Sequence, residues 1–314
     1  PLAFRSWLGS TRTLAFSAAL ACSPTLLLAS REANGAIVGL FLTVLMLWAL
    51  WRLYATRGAG YGVALVVLGA VTLFLTESGG VFMVAMPLVA ALVAGWWNRR
   101  DRHQFEFDAD ADDEAETPPV TALVPWSVAL PVAGLIVVAV ATGFMLNASG
   151  LTAVGGVITG LLSGFVSAPS TVTPPLYPWI TSIFYETFAW GLALVSIVVL
   201  ARTYTFGFLE RLFAAWLVLG LFVSLVWRGG QAEHALWFVI PLAGLIAPLL
   251  TRMIVPDDRV NSVHWPVPYW ARWVLALVVV GLLMALASAF QGMARSLVNA
   301  ADGQIAAAAF DIPT

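Results

Sequence analysis

Nine runs of mostly apolar residues divide this sequence, at approximately 13–29, 35–53, 61–76, 80–97, 123–146, 187–202, 206–227, 234–254 and 268–290. Each is close to the ~20 residues that a helix needs to cross a ~30 Å hydrocarbon layer, some with help from interfacial residues. Only 10% of the residues are charged, where soluble domains carry about 25%. The expected fold is therefore all-α: a polytopic transmembrane bundle of about nine spans, multi-pass in the cell membrane. Arg5 and Arg12 precede an apolar run reaching Ala21-Cys22, which has the outline of a secretory or lipoprotein signal. The run continues to Ala29, and Ala19 stands where a lipobox needs leucine, so a genuine span is expected. Cys22 is the sole cysteine, which excludes an intrachain disulfide.

The arginines set the orientation. All 15 basic residues are arginine, and an inner N-terminus places 12 of them in inner connections. Arg31, Arg228 and Arg295 then face outward. The same rule decides the Gly-rich run 151–166, because counting it as a span would move Arg202, Arg211, Arg252 and Arg259 outside. It is expected to be an amphipathic or re-entrant element on the outer face. Four spans then occupy residues 1–97, and five occupy 123–290 with an outer loop at 147–186. An acidic cytoplasmic linker, 98–122, separates the two groups, and an extracytoplasmic tail, 291–314, ends the chain. Eight of the 17 acidic residues lie between Asp101 and Glu116. Asp108-x-Asp110-x-Asp112 imitates the start of a calcium loop, but Asp113 replaces its turn glycine and Pro119 its bidentate glutamate. A solvated linker is the better reading. Neither His103 nor His264 has a ligand partner at helical spacing.

The outer boundaries hold the informative polar residues. Ser23-Pro24 precedes Ser30-Arg31-Glu32; Thr76-Glu77 closes the third run; Tyr185-Glu186 ends a Pro- and aromatic-rich approach from Pro174; and Arg228 precedes Gln231-x-Glu233-His234. Charges gather at membrane interfaces without any function, and Arg31 could be a side chain reaching for headgroups. Glu77 and Glu186, however, are isolated acids at junctions with little other polar material, where a carboxylate is costly unless used. A guanidinium at Arg31 suits a phosphate, which it meets through paired charged hydrogen bonds. The candidate binding residues are Arg31, Glu32, Glu77, Tyr185, Glu186, Arg228, Glu233 and His234, with Arg31, Glu77 and Glu186 expected to line one outward cavity. A divalent metal held by the carboxylates is compatible with these residues, but no spacing demands one.

In their order, these short blocks resemble the integral-membrane glycosyltransferases of the C type. Within them the chain is most similar to the flippase-activity-associated family related to protein mannosyltransferases. The resemblance covers roughly residues 13–290. Pro175-x-Tyr177 leading to Tyr185-Glu186 resembles that family's Pro-aromatic-Tyr run, and Glu233-His234-Ala235-Leu236-Trp237 with Pro241-Leu242 resembles its Glu-Lys-x-Pro-Trp block. Thr76 and His234 stand where the family carries lysines, and Asn34-Gly35 where it carries a further basic residue and an acid. The resemblance implies transfer of a sugar from a polyprenyl-phosphate-linked donor on the extracytoplasmic face, with Arg31 on the phosphate, helped by Arg228 or His234. The acids would bind sugar hydroxyls or position basic residues. It also implies a catalytic carboxylate in a first outer loop preceding Pro1, so the chain is expected to be a fragment. The alternative is a flippase for lipid-linked sugars, or a flippase-associated subunit, without transferase activity. The partners expected are the lipid-linked sugar and membrane lipid, with no nucleic acid.

The arginine asymmetry gives a direct test of topology. Single cysteines introduced by Asp110→Cys and Val172→Cys should react with a membrane-impermeant thiol reagent from opposite sides. Labelling of both from one side would contradict the assigned orientation.

Overall fold

A computed structural model describes residues 5–32, 35–105, 120–147, 149–166, 176–202 and 206–254, together with Ser288 and Gly292. The expected span 268–290 and the tail 291–314 lie outside the described residues but for these two positions, as do residues 106–119 of the acidic linker. The described residues form helices and their connections, with no strand. In chain order the helices are α1 (Arg5–Leu8), α2 (Ser10–Ala21), α3 (Pro24–Glu32), α4 (Gly35–Thr56), α5 (Ala59–Leu75), α6 (Gly80–Phe105) and α7 (Val120–Leu123). They continue with α8 (Trp126–Ala141), α9 (Gly150–Val166), α10 (Tyr177–Tyr185), α11 (Thr187–Arg202) and α12 (Phe208–Val226). A single 3-10 turn, Ala232–Ala235, then leads into α13 (Leu236–Ile254).

Among the described residues four segments are long and apolar enough to cross a membrane alone: Gly35–Thr56, Gly80–Asn98, Phe208–Val226 and Ala232–Thr251. Two bent pairs bring the number to six if each counts as one span. These are Ser10–Ala21 with Pro24–Arg31, bent by 61°, and Tyr177–Tyr185 with Thr187–Arg202, bent by 94°. The run read as one span at 13–29 is thus two helices. Pro24 explains the break, because its ring and missing N–H cannot continue α2 yet suit the first turn of α3. The runs at 61–76 and 123–146 give shorter helices, α5 and α8, and the expected outer element at 151–166 is the helix α9. Helix α6 runs on to Phe105, into the stretch read as linker.

In Ala232–Thr251, which contains most of α13, 83% of an 18-residue apolar stretch is buried, against 33–50% in the other three long segments, so α13 is the axis of the bundle. Around it pack α2, α11 and α12. Close approach is bought by small residues: a Cβ on Gly244 would lie 2.4 Å from the Phe213 ring, and one on Gly220 2.9 Å from Phe238. Outward-facing side chains such as Phe41, Leu92, Leu135, Val218 and Phe222 remain exposed, as lipid-facing surfaces require.

The two ends of the bundle differ. One end gathers the C-termini of α4 and α6 and the N-terminus of α12. There Arg52 lies over the rings of Trp48, Trp51 and Tyr61, Arg100 over Trp96, and Arg211 over Trp97, at 5.3–6.0 Å. Stems along aromatic surface with heads at the boundary are how arginines end an apolar helix. At the same end Arg12 meets the buried Glu210 at 3.1 Å and ties α2 to the first turn of α12. The opposite end gathers the start of α4, the α5–α6 connection and the α12–α13 connection. Most of the candidate residues lie there.

Candidate functional site at one end of the bundle

Three close approaches build this end. Gly35 and Gly39, one turn apart on α4, both face Thr76 at the end of α5. A Cβ on Gly35 would stand 2.8 Å from the Thr76 carbonyl oxygen and 3.6 Å from Glu77 Cβ. Helix α9 lies against the same end. Its Leu161 carbonyl accepts the Trp227 indole N–H at 3.1 Å, and its Gly164 carbonyl accepts the Arg228 main-chain N–H at 2.9 Å. The start of α10 is tied in through the Leu176 N–H, which bonds to the Ser224 carbonyl at 3.0 Å.

Glu77, Glu233 and His234 come together here, each offering a ligand-type atom within 4.8 Å of the others. His234 is buried and Glu77 nearly so, with side chains 2% and 13% exposed. The 3-10 turn places the imidazole. Gln231 caps the turn reciprocally, and its main-chain N–H donates to His234 Nδ1 at 2.7 Å. His234 Nε2 then faces Glu77 Oε1 at 3.5 Å, and neither atom makes a hydrogen bond of good geometry. Two indoles pack against the ring, Trp237 with its centroid at 4.7 Å and Trp227 at 5.2 Å, and they also touch each other at 5.9 Å. Gly79 makes this possible: a Cβ there would lie 2.3 Å from His234 Nε2.

Glu186 belongs to a second arrangement. It sits buried at the 94° break between α10 and α11. Its Oε1 accepts from the Ser23 hydroxyl and from the Thr25 N–H, the latter at 3.1 Å. Ser23 in turn accepts from the Leu26 N–H at 3.2 Å. Ser23, Pro24 and Thr25 are the cap and first positions of α3, so Glu186 satisfies the free donors of a half-helix and complements its positive end. One broken span therefore caps the other across 163 positions of sequence.

The other candidates are less committed. Arg31 is exposed in the last turn of α3, seven residues and about 10 Å along the axis from its capped end. Glu186 and Arg31 thus mark opposite ends of α3, rather than adjoining points on one wall. Glu32 closes the same helix. Tyr185 is half-buried at the end of α10, and Arg228 is exposed in the α12–α13 turn. His234, read as a phosphate helper, directs Nε2 at a carboxylate. The sequence reading missed Ser23 and Thr25 as partners of Glu186, although Ser-Pro-Thr is a legible helix start. It also missed Gly79 and the tryptophan walls, which nothing local announces.

No family model, no curated protein and no solved structure matches this chain.

The Glu186 cap predicts a particular pattern of substitution. Glu186→Ala strands the Ser23 hydroxyl and the Thr25 N–H away from water and should destabilise by about 1–3 kcal/mol. Glu186→Gln keeps a carbonyl oxygen for both donors and should lose much less. The exposed Cys22, adjacent to Ser23, reports on the break. Its alkylation by N-ethylmaleimide in detergent should quicken in Glu186→Ala and stay near wild type in Glu186→Gln. Equal rates and thermal midpoints in all three proteins would contradict the cap.

Proposed function

We propose that this chain handles a polyprenyl-phosphate-linked sugar at the Glu77–His234 end of the bundle and forms part of a glycosyltransferase of the membrane C type. One observation carries the reading. The short blocks on which the resemblance rests lie up to about 200 residues apart, yet contacts link them. Glu186 caps the helix that leads to Arg31, Gly35 abuts Thr76 and Glu77, and Glu77 faces His234. Residues with only interfacial duties would have no cause to meet.

In this reading the arginine-rich end lies in the cytoplasm and the site opens outside the cell membrane. The polyprenyl tail stays in lipid along the apolar helix faces, and its phosphate sits at the outer boundary, where Arg31 is exposed. The acceptor hydroxyl attacks the anomeric carbon and its proton passes to a carboxylate base. The bond from anomeric carbon to phosphate oxygen breaks, and polyprenyl phosphate leaves, its charge held by arginine. Glu77 and Glu233 contact the sugar. A divalent metal at Glu77, Glu233 and His234 is no part of this scheme. The lone pair of a neutral imidazole is the only one it has, and at His234 the Gln231 N–H occupies it.

The test is transfer from radiolabelled polyprenyl-phosphate sugars in proteoliposomes. Removing a charge-assisted phosphate contact forfeits about 1.5–3 kcal/mol, or one to two powers of ten, so Arg31→Ala should slow transfer by that much. Arg31→Lys should recover part of it, since ammonium keeps the charge but not the planar fork. Arg228→Ala, in a turn beside two glycines, should cost less. Normal transfer by a folded Arg31→Ala protein would remove the phosphate assignment. Movement of lipid-linked sugar across the bilayer without any transfer would replace the transferase with a flippase.

A further inference from the structure

We propose that Glu77 and His234 form a metal-free clamp for a single hydroxyl group of the sugar. The inference deepens the reading above and rests on the site taking a sugar. It begins with the tautomer. A main-chain N–H can only donate, so the 2.7 Å contact from Gln231 makes His234 Nδ1 an acceptor. The imidazole proton is then on Nε2, the atom 3.5 Å from Glu77 Oε1.

Two consequences follow. A metal ion at Nε2 needs the lone pair that this proton occupies. Supplying it would move the proton to Nδ1, where it would point at the Gln231 N–H and break the reciprocal cap of the 3-10 turn. Metal-bound histidines show the reverse arrangement, with the second nitrogen donating to a carboxylate or carbonyl. His234 has the wrong neighbour for a ligand.

The second consequence concerns what does fit. Facing each other are one donor, Nε2–H, and one acceptor, Glu77 Oε1. Both are buried without a hydrogen-bond partner. Unsatisfied buried polar atoms are rare, and a facing pair of opposite type suits a group that both gives and takes a hydrogen bond. A hydroxyl is the smallest such group. Its oxygen can lie about 2.8 Å from both atoms at once, accepting from the imidazole and donating to the carboxylate. The indole N–H of Trp237, also buried and unpartnered, belongs to a ring whose centroid lies 4.7 Å from that of the imidazole, tilted by 41°. Apolar ring surface beside a donor and an acceptor is the composition that recognises a sugar. Of the facing pair Glu77 is the more open, 13% exposed against 2% for His234. In this clamp His234 touches substrate but moves no proton, and Glu77 sets which hydroxyl is bound.

Glutamine places an N–H donor near the position of Nε2 but is a poor metal ligand, so His234→Gln separates clamp from metal site. In detergent, 15N-histidine NMR of the wild type should show His234, identified by its loss in His234→Gln, protonated at Nε2 and not at Nδ1. Added Zn2+ should leave that signal unmoved. Binding of polyprenyl-phosphate hexoses should weaken no more than about threefold in His234→Gln and at least tenfold in Glu77→Ala, with chelator changing neither value. A Zn2+-shifted His234 signal, or losses in His234→Gln matching those of Glu77→Ala, would overturn the clamp. Should the wild type bind sugar while Glu77→Ala binds equally well, the clamp falls and the wider reading stands. Should the wild type bind no lipid-linked hexose at all, the wider reading falls first, and the tautomer measurement shows whether His234 was placed correctly.

Discussion

An apolar layer offers no water to a backbone, so every break in a helix there must be satisfied from within the protein. The bundle contains two such breaks, and they answer each other. Where α2 ends, the free N–H groups of α3 have no preceding turn to bond to. Where α10 ends, Glu186 would be a costly charge among apolar side chains. Brought together, the carboxylate fills the donors and the donors hold the carboxylate. This pairing fixes how both bent spans sit, and with them the path of α3 toward the Glu77–His234 end.

Small residues convert that constraint into a site. Gly35 and Gly39 let α4 come against Thr76, and Gly79 leaves room for the His234 imidazole beside Glu77. Aromatic rings then supply the walls, with Trp227 and Trp237 packed against the histidine and against each other. The far end of the molecule does a different job. Its arginines lie along tryptophan and tyrosine faces, and Glu210 is neutralised by Arg12. The arginine–aromatic contacts and the Glu77–His234 cluster are thus segregated to opposite ends of a bundle whose axis is α13.

Much of this was legible in the sequence because the chemistry is severe. Long apolar runs in a chain with 10% charged residues leave little besides membrane helices, and isolated acids at run ends mark a place where polar groups meet. Gly35 and Gly39 stand one helical turn apart, and the structure supplies their partner in Thr76. What hydropathy could not show was where runs break. The segment at 13–29 averages as apolar despite Ser23-Pro24-Thr25, and the average hides a 61° bend. Nor could it show pairing: Glu186 looked like a sugar ligand from its own neighbourhood, whereas its partners lie 161 and 163 positions away. His234 looked like a cation near a phosphate. Its role turns on one main-chain hydrogen bond three residues back, which no residue pattern encodes.

The central claim is that the start of α4 is seated on the α5–α6 connection, with Gly35 and Gly39 against Thr76 and Glu77. A Cβ on Gly35 would stand 2.8 Å from the Thr76 carbonyl oxygen, whereas one on Gly60, in α5, meets nothing within 4 Å. The direct test is the thermal midpoint in detergent of Gly35→Ala beside that of Gly60→Ala. The account predicts a clear loss of stability in Gly35→Ala and no loss in Gly60→Ala. A midpoint of Gly35→Ala equal to that of the wild type would contradict it.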